Sequence, residues 1–268
     1  MPTVHSRDGT AIAFSRSGTG PPVILVDGAL CYRAFGPAGP LASLLAERFT
    51  VFTYDRRGRG ESGDAKPYAV EREIEDLDAL IAEAGGWSFV YGISSGAALA
   101  LEAANHGLAI KKLALYEAPF IVDDTKQPIP GDFVTRLEAN VAGDRRGDAV
   151  SMFMKLVGVP AFGIFMMRLM PAWSKLKAVA HTLPYDLAIV AEHERGKPLP
   201  PTRWASAKVS TLVADGGKSP AWMRNAMRAL AGALPNAKYR TIEGQTHMLS
   251  AKAIAPVLGE FFSGDLVA

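Results

Sequence analysis

The most constraining feature of the chain is a short run, Val90-Tyr91-Gly92-Ile93-Ser94-Ser95-Gly96. A strand pattern from Ser88 to Tyr91 passes almost directly into an Ala/Leu-rich helical pattern from Gly96 to Asn105. A junction this abrupt closes only if Cβ atoms are missing where strand and helix touch. Glycines two before and two after Ser94 meet that need. The turn would lift the Ser94 hydroxyl above the sheet and set it at a helix N-terminus, where backbone N–H groups stabilise negative charge. Centring the motif on Ser95 fails, because positions 93 and 97 are Ile93 and Ala97. A glycine-rich turn with a capping serine has the same local signature, so the motif alone fixes a geometry and not a reaction.

Around this junction strands and helices alternate. Thr3–Ser6 and Ala11–Ser15, joined by Asp8-Gly9, predict a hairpin. Pro22 to Val26 is wholly apolar, as suits a strand buried on both faces. Phe49 to Tyr54 and Leu113 to Tyr116 predict further strands, and Val70, Ile74, Leu77 and Ile81 form one stripe of a helix. From Val122 to about Ala207 helical patterns dominate. The β/α rhythm returns at Val209–Ala214 and Lys238–Ile242, and a helix over Lys252–Phe262 closes the chain. The expected fold is α/β: a mostly parallel sheet with helices on both faces, its core formed by residues 1–121 and 208–268. A helical insertion, 122–207, interrupts it.

Composition narrows the partners. With 29 Lys+Arg against 27 Asp+Glu, the net charge of +2 is too balanced for a nucleic-acid binder working through a basic face. The single cysteine, Cys31, excludes an intramolecular disulfide and a four-thiolate zinc site. No glycine-rich phosphate loop accompanies Gly58 and Gly60, and no metal or organic cofactor is implied. The longest uncharged run, Ala84 to Leu101, is broken by glycines and serines, which argues against a membrane span. With no signal pattern at the N-terminus, the expectation is a soluble cytoplasmic protein. Oligomeric state stays open.

Two further segments complete the pattern. Asp55-Arg56-Arg57-Gly58-Arg59-Gly60-Glu61-Ser62 follows a strand; on charge alone it would be a flexible surface loop. Glu243-Gly244-Gln245-Thr246-His247 follows the last strand. Of five histidines, only His247 lies in a strand-end loop downstream of the serine. Together with Val23–Gly28, these segments resemble the α/β-hydrolase superfamily in order and spacing. Leu115–Phe120, Gly217–Pro220 and Gly244–His247 are similar to a group of bacterial members of mostly undefined substrate.

The resemblance implies a mechanism. Ser94 attacks a carbonyl carbon, His247 relays the proton, and the backbone N–H groups of Ala29 and Ser95 form an oxyanion hole. It also implies a helical lid in the position of the insertion. Two departures stand out. Asp27 occupies the place of the family's usual histidine and should be paired or turned away from a developing oxyanion. Ser219 occupies the usual place of the acid. Two carboxylates remain: Asp215 at the end of the strand at 209–214, and Glu117 at the end of the strand before the insertion. Some family members carry their acid at the latter strand end. Glu117 is favoured for orienting His247; a salt bridge to an arginine such as Arg136 would be the structural alternative.

Five of nine methionines fall between 152 and 170, with phenylalanines interleaved. Met152, Phe153, Phe162, Phe165, Met166 and Met170 are expected to roof the serine or to form the insertion's own core, and Cys31 to line the pocket. The expected activity is hydrolysis of an ester, thioester or lactone of a small hydrophobic substrate through an acyl-enzyme. Two alternatives remain: a non-hydrolytic enzyme on the same site, lyase or cofactor-independent oxygenase, and a ligand-binding protein with little turnover.

Overall fold

The computed structural model describes residues 2–264. Its eight-stranded sheet has the order β1-β2-β4-β3-β5-β6-β7-β8. The hairpin of β1 (Thr3–His5) and β2 (Ala11–Ser17) is antiparallel, and β2 pairs antiparallel with β4 (Thr50–Tyr54). All other pairings are parallel. They join β3 (Pro22–Val26), β5 (Ser88–Ile93), β6 (Ile110–Tyr116), β7 (Ser210–Gly216) and β8 (Ala237–Ile242). Every residue of β3 and β5 is buried, which is why their sequences read as continuous apolar runs without alternation. Each large aliphatic side chain buried there stabilises the fold by roughly 1.5–3 kcal/mol.

Helices cover both faces. On one side lie α1 (Ala38–Leu45) and α10 (Ala251–Ser263), with Phe262 of α10 stacked on Phe89 of β5 at 5.0 Å. On the other lie α2 (Val70–Glu83), α3 (Ser95–Asn105) and α9 (Ala221–Ala233). The stripe expected on α2 buries Ile74, Leu77 and Ile81. Helix α9 escaped the sequence reading, although Met223, Ala226, Met227 and Leu230 recur at helical spacing and are its buried residues.

Between β6 and β7 the chain forms α4 (Phe133–Ala142), α5 (Arg146–Leu156), α6 (Ala161–Arg168), α7 (Ala172–Ala178) and α8 (Leu183–Val190). Helix α8 packs on α3 and α2, and its Leu183, Leu187 and Val190 join the same buried cluster as the sheet residues. The loops after β3, β5, β6 and β8 all emerge at the carboxyl edge of the parallel strands, where open α/β sheets place their ligand sites.

Candidate active site

Ser94 sits between β5 and α3 with φ 57° and ψ −130°, a conformation that L-residues avoid. The glycines around it are demanded by contact. A Cβ at Gly92 would lie 2.4 Å from the Gly96 carbonyl oxygen, and one at Gly96 would lie 2.2 Å from the Val26 carbonyl oxygen. Gly28, after β3, is equally constrained, since its Cβ would meet that of Ser94 at 2.9 Å. The segment carrying Ala29 therefore runs directly against the serine. As the first residue of α3, Ser95 presents a backbone N–H with no partner inside the helix. Its hydroxyl, by contrast, donates to Asp186 Oδ1 at 2.7 Å and is buried.

His247 Nδ1 lies 2.9 Å from Glu117 Oε2. Glu117 is fully buried at the end of β6 with φ 48°, and its Oε1 accepts the backbone N–H of Gly216 at 2.8 Å. The two oxygens are thus divided between the histidine and the β7 end. The histidine loop is tied down by the Tyr116 hydroxyl, which donates to the Thr246 carbonyl at 2.8 Å, and by the Lys218 N–H bonded to the Gln245 carbonyl. Asp215 instead accepts from the Tyr239 hydroxyl, on the β8 side. Arg136, weighed as a partner for Glu117, pairs with Asp132 at 3.5 Å.

The arginine-rich segment is not the flexible surface loop that its charge suggests. Arg56, Arg57 and Arg59 are all buried, because carboxylates from distant parts of the chain converge on them. Arg56 binds Glu73 through two bonds of 2.7 Å and Asp186 Oδ1 at 2.7 Å. Arg57 binds Asp76 at 2.6 and 2.9 Å and Asp8 at 2.9 Å. Arg59 binds Asp186 Oδ2 and the Gly28 carbonyl, both at 2.7 Å. Asp186, on α8, thus touches two arginines and Ser95. Burial raises its carboxyl, but the charges of Arg59 and Arg56 outweigh burial and hold it below the usual carboxylate range.

Asp27 is buried, and its carboxylate accepts the backbone N–H of Ala38 at the start of α1. Burial pushes its carboxyl up to about 7 against the pull of Arg59 and Arg56. Arg56 Nη1 reaches the backbone carbonyl of Asp27 at 3.4 Å. Burial pushes the Cys31 thiol up to about 12, so it carries no thiolate to compete with the serine.

The expected apolar roof divides in two. Met152 and Phe153 are half-buried and pack against the main core cluster. Phe162, Phe165, Met166 and Met170 are exposed. Sequence reasoning missed Asp186 and Glu73 as supports of the site. The available signal was three arginines within four residues, more than the flanking Asp55 and Glu61 can match.

The family model described as the alpha/beta hydrolase family matches residues 17–257, and the chain belongs to that family. It is similar to an alpha/beta hydrolase from Sphaerobacter thermophilus DSM 20745, at 55% identity and a TM-score of 0.90, covering 97% of this chain and 100% of that one. A malate-bound thermophilic esterase from Thermogutta terrifontis shares the fold at 22% identity and a TM-score of 0.70, covering 97% of both chains. The enol-lactonase from Burkholderia xenovorans LB400 does so at 21% identity and 0.70, covering 98% of this chain and 100% of the other. Among curated proteins, the "Probable oxidoreductase EphD" of Mycobacterium tuberculosis is 39% identical over 85 residues, which is 30% of this chain and only 14% of that protein.

Proposed function

We propose that the protein is a serine hydrolase that cleaves an ester, thioester or lactone of a small hydrophobic substrate. The observation that carries this reading is the 2.9 Å contact between His247 Nδ1 and Glu117, in a molecule whose Ser94 stands on a positive-φ turn at the same sheet edge. Ser94 Oγ attacks the carbonyl carbon as His247 takes its proton through Nε2. Glu117 fixes the tautomer with the proton on Nδ1 and stabilises the imidazolium. The tetrahedral oxyanion is held by the N–H groups of Ala29 and Ser95; loss of one such donor costs about 3–4 kcal/mol of transition-state stabilisation. His247 then protonates the leaving oxygen or sulfur. Water, deprotonated by His247, attacks the acyl-enzyme, and the acid leaves as Ser94 recovers its proton. Residues 122–207 act as the lid, with Met152, Phe153 and Cys31 assigned to the apolar wall. A protein that only bound its ligand would have no use for a strained serine and, at the same sheet edge, a histidine oriented by a buried carboxylate.

The test combines an organophosphonate with a panel of chromogenic esters, thioesters and lactones. An adduct on Ser94 together with turnover, both lost in Ser94→Ala, is the expected result. An adduct without turnover of any panel member would favour the lyase or oxygenase reading. A folded protein that takes up no label would overturn the serine mechanism.

A further inference from the structure

Helix α6 carries two apolar faces. Ile164 turns inward and is buried. Phe162, Phe165, Met166 and Leu169 recur at i, i+3, i+4 and i+7 on another face, and they are 75%, 58%, 45% and 68% exposed. Met170 follows at 56%. One exposed leucine needs no explanation, but a continuous row of large apolar side chains on a single helix face does.

The charge along this stretch of the chain is one-sided. Between Asp148 and Asp186 the chain carries Lys155, Arg168, Lys175 and Lys177 and no carboxylate. Arg168, which ends α6, is also on the wall of an open depression of about 680 Å³. Arg145, Arg146 and Lys177 line it too, against only Asp144 and Asp148 as acids. Those acids bind Arg146 at 2.8 Å and Arg168 at 3.4 Å, which holds the guanidinium groups at the rim without cancelling the excess of positive charge. The depression shares no residue with the Ser94 turn.

We propose that this side of the inserted helices docks on an anionic lipid surface. The α6 side chains enter the acyl boundary while the basic depression that Arg168 joins to the end of α6 meets headgroup phosphates. A second copy of the chain fits the face less well, because two-fold pairing through α6 would bring the same cations together. An uncharged apolar partner would leave those cations without a role. None of the helices among the described residues is long and apolar enough to cross a membrane, so the contact is peripheral.

The test is co-sedimentation of the full chain with vesicles of phosphatidylcholine, with and without phosphatidylglycerol. Binding should be at least about tenfold tighter on the anionic vesicles and should fall as salt rises. Leu169→Glu and Lys177→Glu alter exposed side chains, and each should weaken binding by roughly tenfold or more. A thermal melt of each variant establishes that it folds. If Leu169→Glu does not fold, Lys177→Glu and the salt series still decide. Three results would overturn the proposal: no sedimentation with either vesicle, equal affinity for both, or concentration-dependent dimerisation that Leu169→Glu abolishes in the absence of lipid binding.

Discussion

Ser94 is held where its backbone resists being, and a position of that kind stores about 1–3 kcal/mol of strain. Glycine tolerates the conformation, so Ser94→Gly should be at least as stable as Ser94→Ala, by denaturant unfolding, while both lose turnover and covalent labelling. Glu117→Gln keeps the shape but offers His247 a neutral amide. Its kcat should fall by roughly two to four orders of magnitude with KM little changed, whereas Asp215→Asn, whose carboxylate faces Tyr239, should stay within a few-fold of the parent. Equal losses in both variants would move the acid away from Glu117. Asp27 makes a prediction about pH. Its carboxyl titrates near 7 in the fold but near the ordinary aspartate value when unfolded, so the native state holds the extra proton and stability declines as pH rises from about 4 through 7. Asp27→Asn should flatten that decline, seen as a smaller drop in melting temperature between pH 5 and pH 8. The serine and its glycines were legible because the whole motif lies within five residues, although the contact that most demands Gly96 comes from the Val26 carbonyl of β3. The partner of His247 was legible only as a choice between two strand ends, since the bond spans 130 positions and depends on where β6 and β8 stop.

At the scale of elements, the firmest joint is between α8 and the loop after β4. Asp186 compensates two buried guanidinium groups at once, and removing its charge strands both. Asp186→Asn should therefore cost about 3–5 kcal/mol in chemical denaturation. Loss of the exposed Arg240–Glu260 pair, by contrast, should cost under about 1 kcal/mol. Comparable effects of the two would mean that the buried network contributes little. The partners of these arginines were not visible along the chain. Asp55–Ser62 has the composition of a solvated loop, and the acids that bury it come from β1's turn, α2 and α8. Helix α9 failed for a different reason. Its stripe is built largely from methionine and alanine, which stand out less from their surroundings than the leucines and isoleucines of α2.

For the molecule as a whole, the insertion is separate in sequence but not in packing. Leu183, Leu187 and Trp204 share one buried cluster with Leu113 and Val213 of the sheet. Heat should therefore melt the chain in a single transition, with calorimetric and van't Hoff enthalpies agreeing; two resolved peaks would show that the insertion unfolds by itself. The alternating pattern and the family order of motifs were enough to read this architecture, because a parallel sheet leaves its rhythm in the chain. Which residues weld its two parts was beyond such a rhythm. That weld limits how the scaffold can be rebuilt. A breeder of chimaeras would be tempted to exchange everything between β6 and β7 for a relative's segment, hoping to change substrate preference and leave the chemistry alone. Such a graft discards Asp186, and with it the anchor of Ser95, whose amide is assigned to the oxyanion, and of Arg59, which grips the carbonyl of Gly28. Recombination points that retain α8 should yield working hybrids, and those that replace it should need a matching acid before they yield any.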